Sequence, residues 1–375
     1  MPSSSPPFWA RLMQALGPDQ FTLIDIGCSG GIDESWLELG EHLRAIGFDP
    51  NIEDVERLNA ARPLPGIEYI AGFVGLEPDH PFQQKRREAG LYGGNFWDRL
   101  AFARSVDIRK AQAEKLSNKE KTEQNLWKGL RLADPDNPIF VPDFVRQRGI
   151  TDIDFIKLDI DGLDFDVLHS LEPLLASHNV TGFQMEVNFC GRANEADHTF
   201  HNTDRFLRRA GFELVDLSVW RYSLAALPQR YLFSRPAQST KGRPYQGDAL
   251  YVRDWGWTAK QPLPPDYPAK KLLKLAALFT LRGLDDHAAE ILVQFRDRLA
   301  GLIDVTAALD ELAAVAMSDS RFDGEPRTYA RYMELFEQDD RRFYTGPGEG
   351  APPAPGLVFR SWLDRLTFLL KGLPQ

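Results

Sequence analysis

The sequence predicts an α/β fold: a Rossmann-like, mostly parallel seven-stranded sheet with helices on both faces, followed by a C-terminal helical annex. Three observations predict it. Apolar runs of strand length alternate with helical periodicity from about residue 20 to 255. The first run, FTLIDI, closes on the glycine-rich turn GCSGG, as a buried strand does when it feeds a crossover beside a ligand. Past residue 257, QPLPP introduces Ala- and Leu-rich sequence of helical spacing, with no further strand pattern.

The elements follow in order. Residues 21–26 form the first strand. Residues 33–43 predict a helix, because Trp36, Leu37, Leu39 and Leu43 recur at helical intervals and the acidic first turn suits the helix dipole. A second strand over 45–48 ends at Asp49-Pro50, a helix over 52–61 stops at Arg62-Pro63, and a third strand spans 67–74. Residues 76–143 are too long for one connection and read as an insertion. Strands at 154–161, 181–187, 212–217 and 249–253, with helices at 164–175 and 202–210, complete the pattern. The chain therefore divides into an N-terminal extension (1–19), an α/β domain (20–257), a helical annex (258–344), a Gly/Pro-rich tether (345–356) and a final amphipathic helix (357–375). That helix groups Phe359, Trp362, Leu366 and Leu370 beside Arg360, Arg365 and Lys371. Packing on the annex is favoured over a membrane surface as its role.

Composition narrows the partners. The 44 Lys and Arg against 54 Asp and Glu leave a net charge of −10, which argues against a nucleic-acid backbone and for a small-molecule or glycan acceptor. Two cysteines, Cys28 and Cys190, are too few for a disulfide scaffold, and both are expected in loops beside the cleft. With no secretory core and no apolar run of about 18 residues, a cytoplasmic location is expected.

Two segments carry chemistry. In the first, Asp25, Gly27, Cys28, Gly30 and Gly31 form a D-x-G-x-x-G-G turn, not the G-x-G-x-x-G of dinucleotide sites. An acid at the strand end suits an ammonium group, and S-adenosylmethionine has one and lacks a pyrophosphate. Asp49 ends the second strand, where a carboxylate takes both ribose hydroxyls, although it also suits a helix cap; Phe73 is a candidate adenine wall or plain core. In the second segment, FIKLDIDGLDFDVL, Asp159 and Asp161 end a central strand beside Gly162. Asp159 is a candidate for both cofactor binding and base catalysis. Asp159, Asp161 and Glu186 together are candidates for a divalent cation, while Asp161, Asp164 and Asp166 equally suit the cap of the next helix. Glu186, His198 and His201 complete the candidate catalytic groups, the two histidines being expected in a loop after the fifth strand, where solvated surface histidine is the ordinary alternative.

LIDIGCSGGI and DFIKLDIDGLDFDVL, with FQMEVNF and TDRFLRRAGFELVDL, resemble the FkbM-type methyltransferases over roughly residues 20 to 255. The resemblance implies a Rossmann-like methyltransferase fold, S-adenosylmethionine as cofactor, and O-methylation of a hydroxyl on a sugar, glycan or natural product. Asp161 stands where the family commonly has Glu, and Leu163-Asp164 replaces a small-acidic pair. Two other readings compete: an NAD-dependent oxidoreductase, favoured by Asp49, and a non-catalytic nucleoside-binding module in a glycan-assembly complex.

Overall fold

The computed structural model describes residues 6–91, 131–160, 162–177, 179–222, 243–256 and 262–343. Seven strands form one sheet: β1 (Phe21–Ile26), β2 (Leu43–Asp49), β3 (Ile67–Ala71), β4 (Phe155–Leu158), β5 (Gly182–Asn188), β6 (Glu213–Tyr222) and β7 (Arg243–Val252). Their spatial order is β3-β2-β1-β4-β5-β7-β6. The first five are mutually parallel, and β7 inserts antiparallel between β5 and β6. The mostly parallel seven-stranded sheet and the helical annex of the sequence reading are both present.

Alternation sorts the strand residues between two cores. On one face Phe21, Leu23, Ala45, Ile67 and Phe155 pack with the N-terminal helix Pro6–Leu16 and the annex helix Ala269–Leu281. On the other, Ile24, Ile26, Ile156, Leu158 and Val187 pack under the helices Pro81–Glu88, Asp164–Ser170 and Phe200–Arg209. The annex and the N-terminal helix thus share this layer with Trp36 and Leu39 of the segment Glu34–His42 and with Val55 and Leu58 of the helix Ile52–Ala60. Gly182 on β5 permits it: a Cβ there would lie 2.5 Å from the Phe155 ring and 2.7 Å from Leu278.

Polar side chains lock this layer at the sheet's N-terminal edge. Asp154, fully buried, accepts from Lys271 Nζ at 2.6 Å, Lys274 Nζ at 3.0 Å and the Thr22 N–H at 2.7 Å. Asp152 reaches the same two lysines at 3.0 and 3.4 Å. Replacing either buried lysine removes a charge that water cannot replace.

Several boundaries differ from the sequence reading, each for a local reason. The expected helix 33–43 is a 3-10 segment, Glu34–His42, which Gly40 breaks at φ 56, and Leu43 already belongs to β2. β3 stops at Ala71, with only an isolated bridge from Val74 to Ile139 beyond it. The helix expected over 164–175 is two, Asp164–Ser170 and Glu172–Ser177. Residues 76–91 and 131–143 are ordinary parts of the domain, because Ile139 donates to the Phe73 carbonyl and Arg86 forms a buried ion pair with Asp166. The centre of the expected insertion (92–130), the expected tether 345–356 and the expected amphipathic helix 357–375 lie outside the described residues. No helix among the described residues is long and apolar enough to cross a membrane.

Candidate functional site

Strand register builds the site. Tyr69, Gly47, Asp25 and Lys157 are consecutive cross-strand partners on β3, β2, β1 and β4, one row across the annex-facing side near the sheet's C-terminal edge. Two residues further along, Asp49 ends β2 and Asp159 follows β4. The row lies where the strand order reverses, the place at which open α/β sheets bind ligands.

The loop after β1 crosses this row. Gly27 takes φ 93, and its backbone passes so close to the end of β4 that a Cβ would sit 1.7 Å from the Asp159 carbonyl oxygen. The Gly27 and Cys28 N–H groups both donate to the Phe48 carbonyl, at 2.9 and 3.1 Å. Gly30 donates to Asp54 Oδ2 at 2.9 Å, Gly31 to the Cys28 carbonyl at 2.8 Å, and Ile32 to the Tyr69 hydroxyl at 3.4 Å. Asp33 caps the following 3-10 segment by accepting from the Ser35 N–H. The turn therefore spends these N–H groups internally and ends in a carboxylate. A pyrophosphate finds few free donors there and meets negative charge.

The floor is the opposite: acceptors in excess. Asp25 is 1% exposed, and its Oδ1 makes no hydrogen bond while lying 3.5 Å from Lys157 Nζ. Burial pushes the Asp25 carboxyl up to about 6, against the pull of Lys157. Burial alone would lower Lys157, but Asp25 and Asp159 together outweigh it and hold the ammonium above its usual range. The ion-pair distance to Asp159 Oδ2 is 3.3 Å. Asp49 is also buried and raised by desolvation; Oδ1 accepts from the Asn51 N–H at 2.8 Å. Cys28, buried against Gly47 and Tyr69, is held as a thiol by desolvation.

Asp159 is the accessible carboxylate of the row, its side chain 39% exposed. Glu186 on β5 is buried and pairs across the sheet with Asp248 of β7. His198 is buried, with Nε2 3.1 Å from the Glu186 carbonyl oxygen and Nδ1 3.3 Å from Asn188 Nδ2, so both ring nitrogens brace the end of β5. His201 lies exposed within the helix Phe200–Arg209, not in the loop expected for it. Phe73 is half-buried just beyond β3. Cys190 is a half-buried free thiol after β5. Among the described residues no cluster of three or more His, Cys, Asp or Glu is arranged for a metal; Asp161 lies outside the described residues. Asp164, rather than capping the helix from outside, accepts from the Ile160 and Gly162 N–H groups at 2.8 and 2.9 Å and shapes the turn after β4.

Two charged groups join this set without having been singled out as site residues. Lys157 was visible as a lone lysine inside an otherwise apolar central strand. Asp248 was not, because β7 runs antiparallel and brings its middle, not its C-terminal end, to the edge that holds Asp159; its carboxyl is raised by burial and by Asp159.

Solved structures overlap loosely: an S-adenosylmethionine-dependent methyltransferase from Mesorhizobium loti (13% identity, 65% of this chain and 97% of that one, TM-score 0.30) and one from Aquifex aeolicus (11%, 65% and 88%, TM-score 0.27). A putative methyltransferase in complex with the Haloferax volcanii Trm112 activator overlaps similarly (13%, 66% and 90%, TM-score 0.28). None of these overlaps places a residue of this chain. No curated protein matches. Residues 113–214 match the methyltransferase FkbM domain, a span that holds β4, β5 and the Lys157–Asp159 turn and leaves the glycine loop to the structure alone. Over those residues the chain is similar to an FkbM methyltransferase domain.

Proposed function

We propose that this chain moves the methyl group of S-adenosylmethionine to a hydroxyl of a sugar, glycan or natural product, with Asp159 as the base. The observation that carries the cofactor side is the polarity of the cleft: turn N–H groups spent internally, and Asp25, Asp49 and Asp159 gathered along one edge. The residues fit the group, because the orphaned Asp25 Oδ1 awaits a donor and the second oxygen of Asp49 has no partner among the described residues. Asp25 would accept from the ammonium and Asp49 from the ribose hydroxyls. When bound, S-adenosylmethionine supplies an electrophilic methyl group on a sulfonium. Dinucleotides fit less well, since Asp54 takes the Gly30 N–H and Asp33 the Ser35 N–H, leaving carboxylates where a pyrophosphate would seek donors. Calorimetry that found NAD binding and no binding of S-adenosylmethionine would overturn this assignment.

Methyl transfer to an alcohol needs the acceptor aligned and its proton removed. Asp159 is reachable, whereas Glu186 is buried. Lys157, cationic between Asp25 and Asp159, holds the Asp159 carboxylate in place. Once an acceptor has been found by mass-spectrometric screening of sugars and glycosides, Asp159→Asn is expected to lower kcat about 100-fold or more. A variant with unchanged kcat and weakened cofactor affinity would make Asp159 a binding residue instead.

The Asp25 shift gives a pH prediction. Its folded-state pKa is raised to about 6 from 3.8, so the folded apo-protein takes up a proton in that interval, and this group's contribution to stability grows as pH falls from about 6 toward 4. Cofactor affinity runs the other way, because protonation removes the acceptor that the ammonium needs. Calorimetric Kd for S-adenosylmethionine is expected to weaken as pH drops from 7.5 to 5, and Asp25→Asn should flatten that profile. An affinity independent of pH in the wild type would remove Asp25 from the ammonium site.

A further inference from the structure

On the sheet face away from Asp25 and Lys157, three helices meet around His169. Two adjoining cavities, of about 420 Å³ and about 610 Å³, share Phe82, Lys85, His169, Phe206 and Arg209 as walls. Both volumes suit a small organic ligand. From these walls, and not from the methyl-donor cleft, we propose a second binding site for a phosphate monoester with a planar or apolar body.

The body is set by the aromatic walls. His169 stacks on Phe82 with ring centroids 3.6 Å apart and meets the edges of Phe165 and Phe206 at 4.9 and 4.7 Å. Its imidazole is neutral, held down to about 3 by burial and by the neighbouring charges of His80 and Lys85. Its contacts among the described residues are all with rings: Phe82, Phe165, Phe206 and His80. A neutral imidazole is both a flat surface and an N–H donor.

The phosphate is set by the cations. Neither Lys85 nor Arg209 pairs with a carboxylate among the described residues, and both line both cavities. The carboxylates nearby are Glu88, which accepts from Gln84, Glu195, which is held by Arg205, and Glu172 at the edge of the larger cavity. Cations outnumber carboxylates in each cavity, on a chain whose net charge is −10. Such a pair of unneutralised cations beside a neutral donor fits a doubly charged oxyanion.

The site has a rigid frame and a route to the methyl-transfer edge. The buried Arg86–Asp166 ion pair clamps the helix Pro81–Glu88 to the helix Asp164–Ser170. Phe165, on the inner turn of that second helix, lies parallel to the His198 ring at 5.9 Å, and His198 in turn contacts the Glu186 carbonyl. A ligand on His169 therefore sits at the far end of a helix whose first turn is shaped by Asp164 beside Asp159.

The test uses the full chain and three probes: phenyl phosphate, phenol and inorganic phosphate. NMR of the histidine side chains and calorimetry are expected to show phenyl phosphate binding with a rise in the His169 pKa, and at least about tenfold weaker binding of each half-probe. Lys85→Gln combined with Arg209→Gln should weaken phenyl phosphate about tenfold or more while leaving the Kd for S-adenosylhomocysteine and the melting temperature unchanged. No binding, equal binding of inorganic phosphate, or binding unaffected by the double variant each overturns the proposal. Because S-adenosylhomocysteine reports the methyl-donor cleft separately, failure here leaves the methyltransferase reading standing.

Discussion

Alanine at Gly27 is expected to destroy cofactor binding, raising the Kd for S-adenosylmethionine by about 100-fold or more, and to destabilise the apo-protein as well. Two costs add. A residue with a Cβ pays roughly 1–2 kcal/mol for a left-handed backbone, and Gly27 sits at φ 93. More severely, the new methyl would lie 1.7 Å from the Asp159 carbonyl oxygen and 2.6 Å from its carbon, both backbone atoms that no side-chain rotation can clear. Relief requires the loop to part from β4, which breaks the paired bonds to Phe48 and shifts Asp25 relative to Lys157. Gly30→Ala is the control. Gly30 has a similar positive φ of 78, but a Cβ there meets nothing within 4 Å, so the apo-protein should lose only the backbone cost of about 1–2 kcal/mol. Urea unfolding separates the two: equal losses of stability in both variants would show that contact with β4 is not what demands glycine at position 27.

That contrast shows how much the sequence could disclose. D-x-G-x-x-G-G located the turn and its acid, because glycine spacing and strand length are local properties. It could not say which glycine is held by contact and which by conformation alone, since the contact comes from β4, more than a hundred residues away. The strand-and-helix alternation was legible for the same local reason. Gly40, by contrast, breaks what reads as one helix, and only its φ of 56 reveals it. His198 looked like a loop histidine free to act on substrate; its bonds to Asn188 and the Glu186 carbonyl arise when the chain folds back on β5. Asp248 went unnoticed because the antiparallel direction of β7 is a fact of topology. The change of composition near 257 is legible, but it could not show that the annex helix joins Trp36 and Val55 on one face of the sheet.

Removing the Asp154 side chain should test that last point at its strongest contact, lowering stability by about 3–5 kcal/mol and the melting temperature by roughly 5–15 °C. Asp154→Ala would leave Lys271 and Lys274, 2% and 5% exposed, with the half-exposed Asp152 as their one counter-charge and the Ile153 carbonyl as a neutral acceptor for Lys271, and would strip the Thr22 N–H of its acceptor. An ammonium stranded in an apolar interior is far costlier than a missing surface pair. The loss should come from the stranded charges and not from the missing carboxylate itself. Adding Lys271→Met and Lys274→Met to Asp154→Ala is therefore expected to recover much of the stability, because apolar side chains of similar length fill the same space without a desolvation cost. Asp152 and Asp154 lie before β4, at the sheet edge opposite Asp25 and Asp159, so below the melting transition the affinity for S-adenosylmethionine should stay within about twofold of wild type. A single variant that loses less than about 1 kcal/mol in chemical denaturation would mean the annex helix is held by its leucines alone. A triple variant no better than the single would locate the cost in the Thr22 bond instead, and with it the start of β1, rather than in the two lysines that fasten the annex to the sheet.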